Sequence, residues 1–211
     1  MDLEKNAENE RLPLVTAVLV AINVLAFIYT EINGSSLDAQ YMIEMGAMYE
    51  PAFLDGQEYY RIVTHFFLHF GMEHLFNNMV SLLVLGYALE NEIGRCRFAV
   101  IYMFSGVFAG IVSVAYNVHT NEAVVSCGAS GAIYGLMGAL FVMLLLENRT
   151  NLKGQVPRFA LYIVLSLYTG MRDPGIDNAA HIGGFVGGII ICIFLWILKR
   201  IFTYRKGQVV S

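Results

Sequence analysis

The sequence predicts an all-α polytopic membrane protein, a bundle of six transmembrane helices. Three observations carry that prediction. Of 211 residues, 57% are hydrophobic and only 14% charged, whereas a soluble domain carries about a quarter charged residues. The apolar residues fall in runs of membrane-spanning length, and the mean hydropathy is +0.59. The cations gather in alternate connections between those runs, as they do in loops on one side of a bilayer. The net charge of -4 is small and says nothing about nucleic acid, for which no basic-aromatic patch is present; no nucleic-acid partner is expected. Cys96, Cys127 and Cys192 lack metal-site spacing and lie in or beside apolar segments, so they read as small buried hydrophobes.

Residues 1–12 are polar and mixed in charge and form a short tail. The domain follows at 13–200. Its first helix spans 14–30; the run is longer than a signal-peptide core, is preceded by acidic residues and is followed by further spans. The first loop, 31–60, mixes Tyr41, Met42, Ile43, Met45, Met48, Tyr49, Phe53 and Tyr59 with acidic residues, a composition suited to the membrane interface. It ends at Tyr60-Arg61, a ring and a cation expected at headgroup level. The second helix spans 65–89, with Glu90 and Gly94 ending it, and its first half is polar: His65, His69, Glu73, His74, Asn77 and Asn78. The third spans 98–116, the fourth 124–146 and the sixth 179–198. Between them 157–171 makes a short fifth helix of about 22 Å, against a hydrocarbon core of about 30 Å. A basic tail, 201–211, closes the chain.

With both termini on one side, that side receives Lys5, Arg11, Arg95, Arg97, Arg149, Lys153, Arg158, Lys199, Arg200, Arg205 and Lys206; the other receives Arg61 and Arg172. The asymmetry predicts cytoplasmic termini. Ser130 and His181 then lie at similar depth near the non-cytoplasmic ends of their helices.

Ser130 heads an apolar run in Gly128-Ala129-Ser130-Gly131, and His181 opens the last run in Ala180-His181-Ile182-Gly183-Gly184. A hydroxyl in hydrocarbon needs a partner, and Gly131, Gly135, Gly138, Gly184 and Gly188 recur at spacings that let two helices approach closely. A Ser-His pair is a nucleophile with its base; the bland alternative is a tight helix pair without chemistry. His74 and Asn78 share one helix face and can donate hydrogen bonds to a developing anion, or merely line a polar cavity. The Ser130 backbone amide, at a helix start, is a third candidate donor. His65, His69, Glu73 and His74 are possible zinc ligands, but no His-Glu-x-x-His pair accompanies them, and no metal is expected.

Taken together these motifs resemble those of the rhomboid intramembrane serine proteases. Tyr60-Arg61 stands where the family has Trp-Arg, His74 with Asn78 reproduces its His-x-x-x-Asn, Gly128-Ala129-Ser130-Gly131 is its Gly-x-Ser-Gly, and His181 lies in its last-helix motif. Tyr134 matches the family's tyrosine that packs on the histidine. The resemblance implies a six-helix rhomboid-like bundle with a water-filled cavity open to the outer face, Ser130 as nucleophile, His181 as general base and no third carboxylate. It implies substrates that are transmembrane segments of other proteins in the lipid bilayer, and no cofactor. The compact form looks like that of a bacterial plasma-membrane protein. A transporter would use the His-Asn stripe as a pathway, but no internal repeat relates the halves. A chaperone that binds clients without cutting would usually lack Ser130 or His181, and both are present.

Overall fold

The computed structural model describes residues 12–146, 156–170 and 175–209. The tail at 1–11, Arg149, Lys153, Met171 and Arg172 lie outside the described residues. Among the described residues the fold is all-α apart from one two-residue strand pair. Helix α1 is Leu14–Asn33, α2 Ala39–Glu44, α3 Glu50–Leu54 and α4 Arg61–Thr64. A 3₁₀ turn at His65–Phe67 leads to α5, Gly71–Ile93. Then come α6 (Arg95–Thr120), α7 (Ser130–Leu146), α8 (Val156–Gly170) and α9 (Asn178–Val209). By length and composition α1, α6 and Asn178–Ile201 of α9 can cross a membrane; α7 and α8 are shorter apolar helices.

Helix α7 is the centre. It is apolar on every side and buried from Gly131 to Ala139, the mark of a helix enclosed by protein. It packs against α6 and α9, which also pack on each other, and α5 joins it on another side. Contact between α7 and α9 runs backbone to backbone. A Cβ added at Gly184 would meet the Gly131 carbonyl, and one at Gly188 the Gly135 carbonyl, so only glycine fits there.

Helix α1 leans on α5 and is capped by it. The first amides of a helix have no internal partners; here Glu90 accepts from Val15 N at 3.0 Å and from Thr16 N and Thr16 Oγ1 at 2.8 Å each. Glu90 is buried, 3% exposed. This corrects the expected end of the second helix at Leu89: the carboxylate is consumed inside the protein, and α5 continues to Ile93 before Gly94. Its start also differs from the expected His65, because Leu68 is extended and Gly71 takes φ +77°, which ends the 3₁₀ turn before α5 begins.

The expected fourth span at 124–146 begins later, at Ser130. Val125–Ser126 is a strand, paired antiparallel with Met48–Tyr49 in the first loop. The third and sixth spans extend past the expected 98–116 and 179–198, and α9 takes up 201–209, which was expected as a tail. No proline interrupts that stretch, so the helix has no reason to stop at Lys199-Arg200.

Arg61 is held within the protein, 3% exposed. Its Nη1 donates to Ile43 O at 2.6 Å and Ala47 O at 2.7 Å, and its Nε donates to Glu58 Oε2 at 2.8 Å. Guanidinium is the group with enough donors to satisfy a turn and a carboxylate at once. The first loop is thus a folded unit around Arg61, Met42 and Ala47. Glu58 also accepts from Tyr60 Oη at 2.8 Å, and the hydrogen bonds of Tyr60 and Arg61 hold its carboxyl below the ordinary value.

Candidate active site

Ser130 is the first residue of α7 and His181 lies in the first turn of α9. The glycine-lined crossing of the two helices brings Ser130 Oγ to 2.8 Å from His181 Nε2. His181 is buried, and among the described residues its Nδ1 has no hydrogen-bond partner and no carboxylate bonds the imidazole. The ring of Tyr134, one turn beyond Ser130, stacks on it at 4.2 Å between centroids and 18° between planes.

The loop before Ser130 is held from the other side by the polar entry to α5. Gly128 N donates to His65 O at 3.0 Å, and Ala129 N donates to His69 Nε2 at 3.3 Å. Gly128 has φ +142°, and a Cβ there would lie 2.8 Å from His74 Nε2, so the glycine lets the His74 ring close over the loop. His74 in turn sits edge-on to His69, with centroids 5.2 Å apart. Asn78 is buried and gives one amide hydrogen to His74 O at 3.0 Å, which leaves its second N–H free of that bond. The Ser130 amide, in the first turn, has no carbonyl four residues back within its helix.

The structure therefore brings Ser130, His181, Tyr134, His74, Asn78, Gly128 and Gly131 into one cluster; Arg61 lies apart and acts on the first loop. The chain matches the family model of the rhomboid domain over residues 56–198. This chain belongs to the rhomboid family. Among related rhomboids, the rhomboid protease GluP of Bacillus subtilis is 33% identical over 187 residues, 89% of this chain and 36% of that protein. RHOMBOID-like protein 7 of Arabidopsis thaliana is 33% identical over 167 residues, 79% of this chain and 52% of its own length. The rhomboid protease AarA of Providencia stuartii is 30% identical over 202 residues, 85% of this chain and 71% of that protein. This rhomboid chain thus spans between a third and a little over half of the first two of these relatives.

Three residues that support the cluster were not legible as such. His69 read as one more polar position in a stripe. Asp177 falls just before the expected sixth span, yet its Oδ1 caps Ala180 N at 2.8 Å and its Oδ2 accepts from Ser113 Oγ at 2.5 Å, pinning the first turn of α9 to α6. The Asp-Asn ahead of Ala179 is a helix-start signal that could have located it. Ser166 in α8, 2.5 Å from Tyr134 Oη, looks in sequence like a small packing residue.

Proposed function

We propose that this rhomboid is an intramembrane serine endopeptidase that cuts transmembrane segments of other membrane proteins with a Ser130-His181 dyad. The observation that carries the reading is the 2.8 Å approach of Ser130 Oγ to His181 Nε2, in a family whose relatives include proteins named as proteases. A serine hydroxyl is a weak nucleophile until a base takes its proton. Neutral His181 accepts that proton at Nε2 as Oγ bonds to the scissile carbonyl carbon, and the carbonyl oxygen becomes an anion. His74, the remaining Asn78 N–H and the Ser130 amide supply the donors for it, strengthened by the amino end of α7. The anion collapses, the peptide C–N bond breaks, and His181 returns its proton to the leaving amine. Water then hydrolyses the acyl-enzyme by the same relay.

The membrane arrangement belongs to the same proposal. Beside α1, α6 and α9, the helices α5, α7 and α8 complete a bundle of six spans, with the dyad near the outer face and both termini cytoplasmic. The short α7 suits a helix enclosed by others, whose serine end meets water in a cavity rather than lipid. A fluorophosphonate tests the reading on purified protein in detergent. Oγ bonds to phosphorus, fluoride leaves, and the hydroxyl proton passes to His181. Wild type is expected to label at Ser130, and Ser130→Ala and His181→Ala to lose both labelling and cleavage of a transmembrane substrate. Cleavage by Ser130→Ala at the wild-type rate would overturn it.

A further inference from the structure

Tyr134 touches His181 on one face and α8 at its far end. Few hydrogen bonds fix the imidazole plane: Nε2 meets Ser130, Nδ1 has no hydrogen-bond partner among the described residues, and the phenol ring of Tyr134 stacks on its face. Whatever tilts that ring tilts the base. On the near side the ring is fixed to α7, which glycines lock to α9. On the far side its hydroxyl is held 2.5 Å from Ser166 Oγ, 32 residues away in sequence.

Helix α8 is the most weakly enclosed of the long helices. Of its described side chains only Ile163 is buried, while Leu161, Tyr162, Val164, Leu165 and Tyr168 are all more than half exposed. A serine inside an apolar helix ordinarily bonds back to the carbonyl four residues earlier; Ser166 reaches across to Tyr134 instead. Were α8 to stand off, Ser166 would turn back to its own helix and the phenol would lose its anchor.

We infer that Ser166 is a positioning residue for the dyad: its hydrogen bond to Tyr134 fixes the ring against which His181 is set, so that the seating of α8 is transmitted to Ser130. The inference rests on the reading of Ser130 and His181 as nucleophile and base. It assigns α8 a role in catalysis, because the dyad is aligned only while α8 is seated.

The test uses full-length protein in detergent and the labelling rate of Ser130 by a small soluble fluorophosphonate, which needs no opening of α8. Loss of one hydrogen bond is expected to slow labelling roughly 2- to 10-fold in Ser166→Ala. Tyr134→Phe should slow it by the same factor, and the double variant no more than either alone. Ser166→Thr, which keeps the hydroxyl, should label as wild type does. A purely structural Ser166 would slow only the cleavage of helical substrates, so wild-type labelling of Ser166→Ala overturns the inference, as does multiplication of the two effects. If Ser166→Ala does not fold, the comparison of Tyr134→Phe with wild type decides alone, with equal labelling overturning it. Failure of the dyad reading is separate: it would appear as equal labelling of wild type and Ser130→Ala.

Discussion

Gly184→Ala should abolish most activity while leaving a folded protein. An added Cβ would lie 2.7 Å from Gly131 C and nearer still to its oxygen, where ordinary contact begins near 3.4 Å. The obstacle is backbone, which cannot swing aside as a side chain can. Helices α7 and α9 must therefore part by about 0.7 Å at that carbon (3.4 less 2.7 Å), and by more at the oxygen. Gly184 lies one turn beyond His181, and Gly131 follows Ser130, so the parting is felt at the dyad almost in full. It would stretch the 2.8 Å contact between them out of hydrogen-bond range. A misplacement of about 1 Å costs on the order of 10²-fold in rate, and kcat/KM should fall by roughly that factor. Gly187→Ala is the control on the same helix. Its Cβ would lie 3.1 Å from Phe108 Cβ and Cδ1, a shortfall of about 0.3 Å against ordinary contact (3.4 less 3.1 Å), less than half that at Gly184. Cleavage of a transmembrane substrate, with thermal unfolding in detergent alongside, is the assay. Equal activity in the two variants would refute the argument that backbone contact sets the dyad distance.

Glu90→Ala should destabilise the protein by about 2–3 kcal/mol, since removing a cap costs about 1 kcal/mol and bonds to a charged acceptor about 1.5–3 kcal/mol each, with water recovering part. A denaturant midpoint in detergent shifted by less than about 0.5 kcal/mol would mean that water replaces the carboxylate. His74→Ala and Asn78→Ala should each lower kcat by roughly one to two decades, and together by less than the product, if both serve one anion; full turnover in the double variant would reduce them to cavity lining. The folded-state pKa of Glu58 is depressed, so its contribution to the first loop is complete above the ordinary carboxylate value of 4.5 and is lost as pH falls through the lower folded value. Amide exchange across Ile43–Ala47 should accelerate in that acid window in wild type, and Glu58→Gln should show no such dependence.

What could be read from residues alone was whatever repeats along the chain or stands out against its surroundings. Apolar runs located α1, α6 and α9, and a serine and a histidine each set among glycines named the pair that the fold joins at 2.8 Å. The rhomboid resemblance drawn from four short motifs agrees with a family match over 56–198. The misreadings share a cause: partners that sequence cannot display. The partners that bury Arg61 went unread because its acceptors at Ile43 and Ala47 are backbone carbonyls, which every residue has. Glu90 looked like a helix stop because its partners are amides far away in the chain. Ser126 and Val125 looked like the start of a helix because their true neighbours are Met48 and Tyr49. Ser166 carries no distinguishing pattern at all, and only its distance to Tyr134 marks it.

The capping of α1 by Glu90 has a meaning for how the chain is made. The amides at Val15 and Thr16 wait for an acceptor 74 to 75 residues downstream. At a synthesis rate of roughly 5–20 residues per second, that acceptor leaves the ribosome roughly 4–15 seconds later. During that interval the first helix must find other company for its amino end, from water or from whatever machinery receives it at the membrane. Its final berth is therefore settled only after the second long helix has arrived, and a chain stalled before residue 90 would hold a leading segment that is inserted but not yet docked.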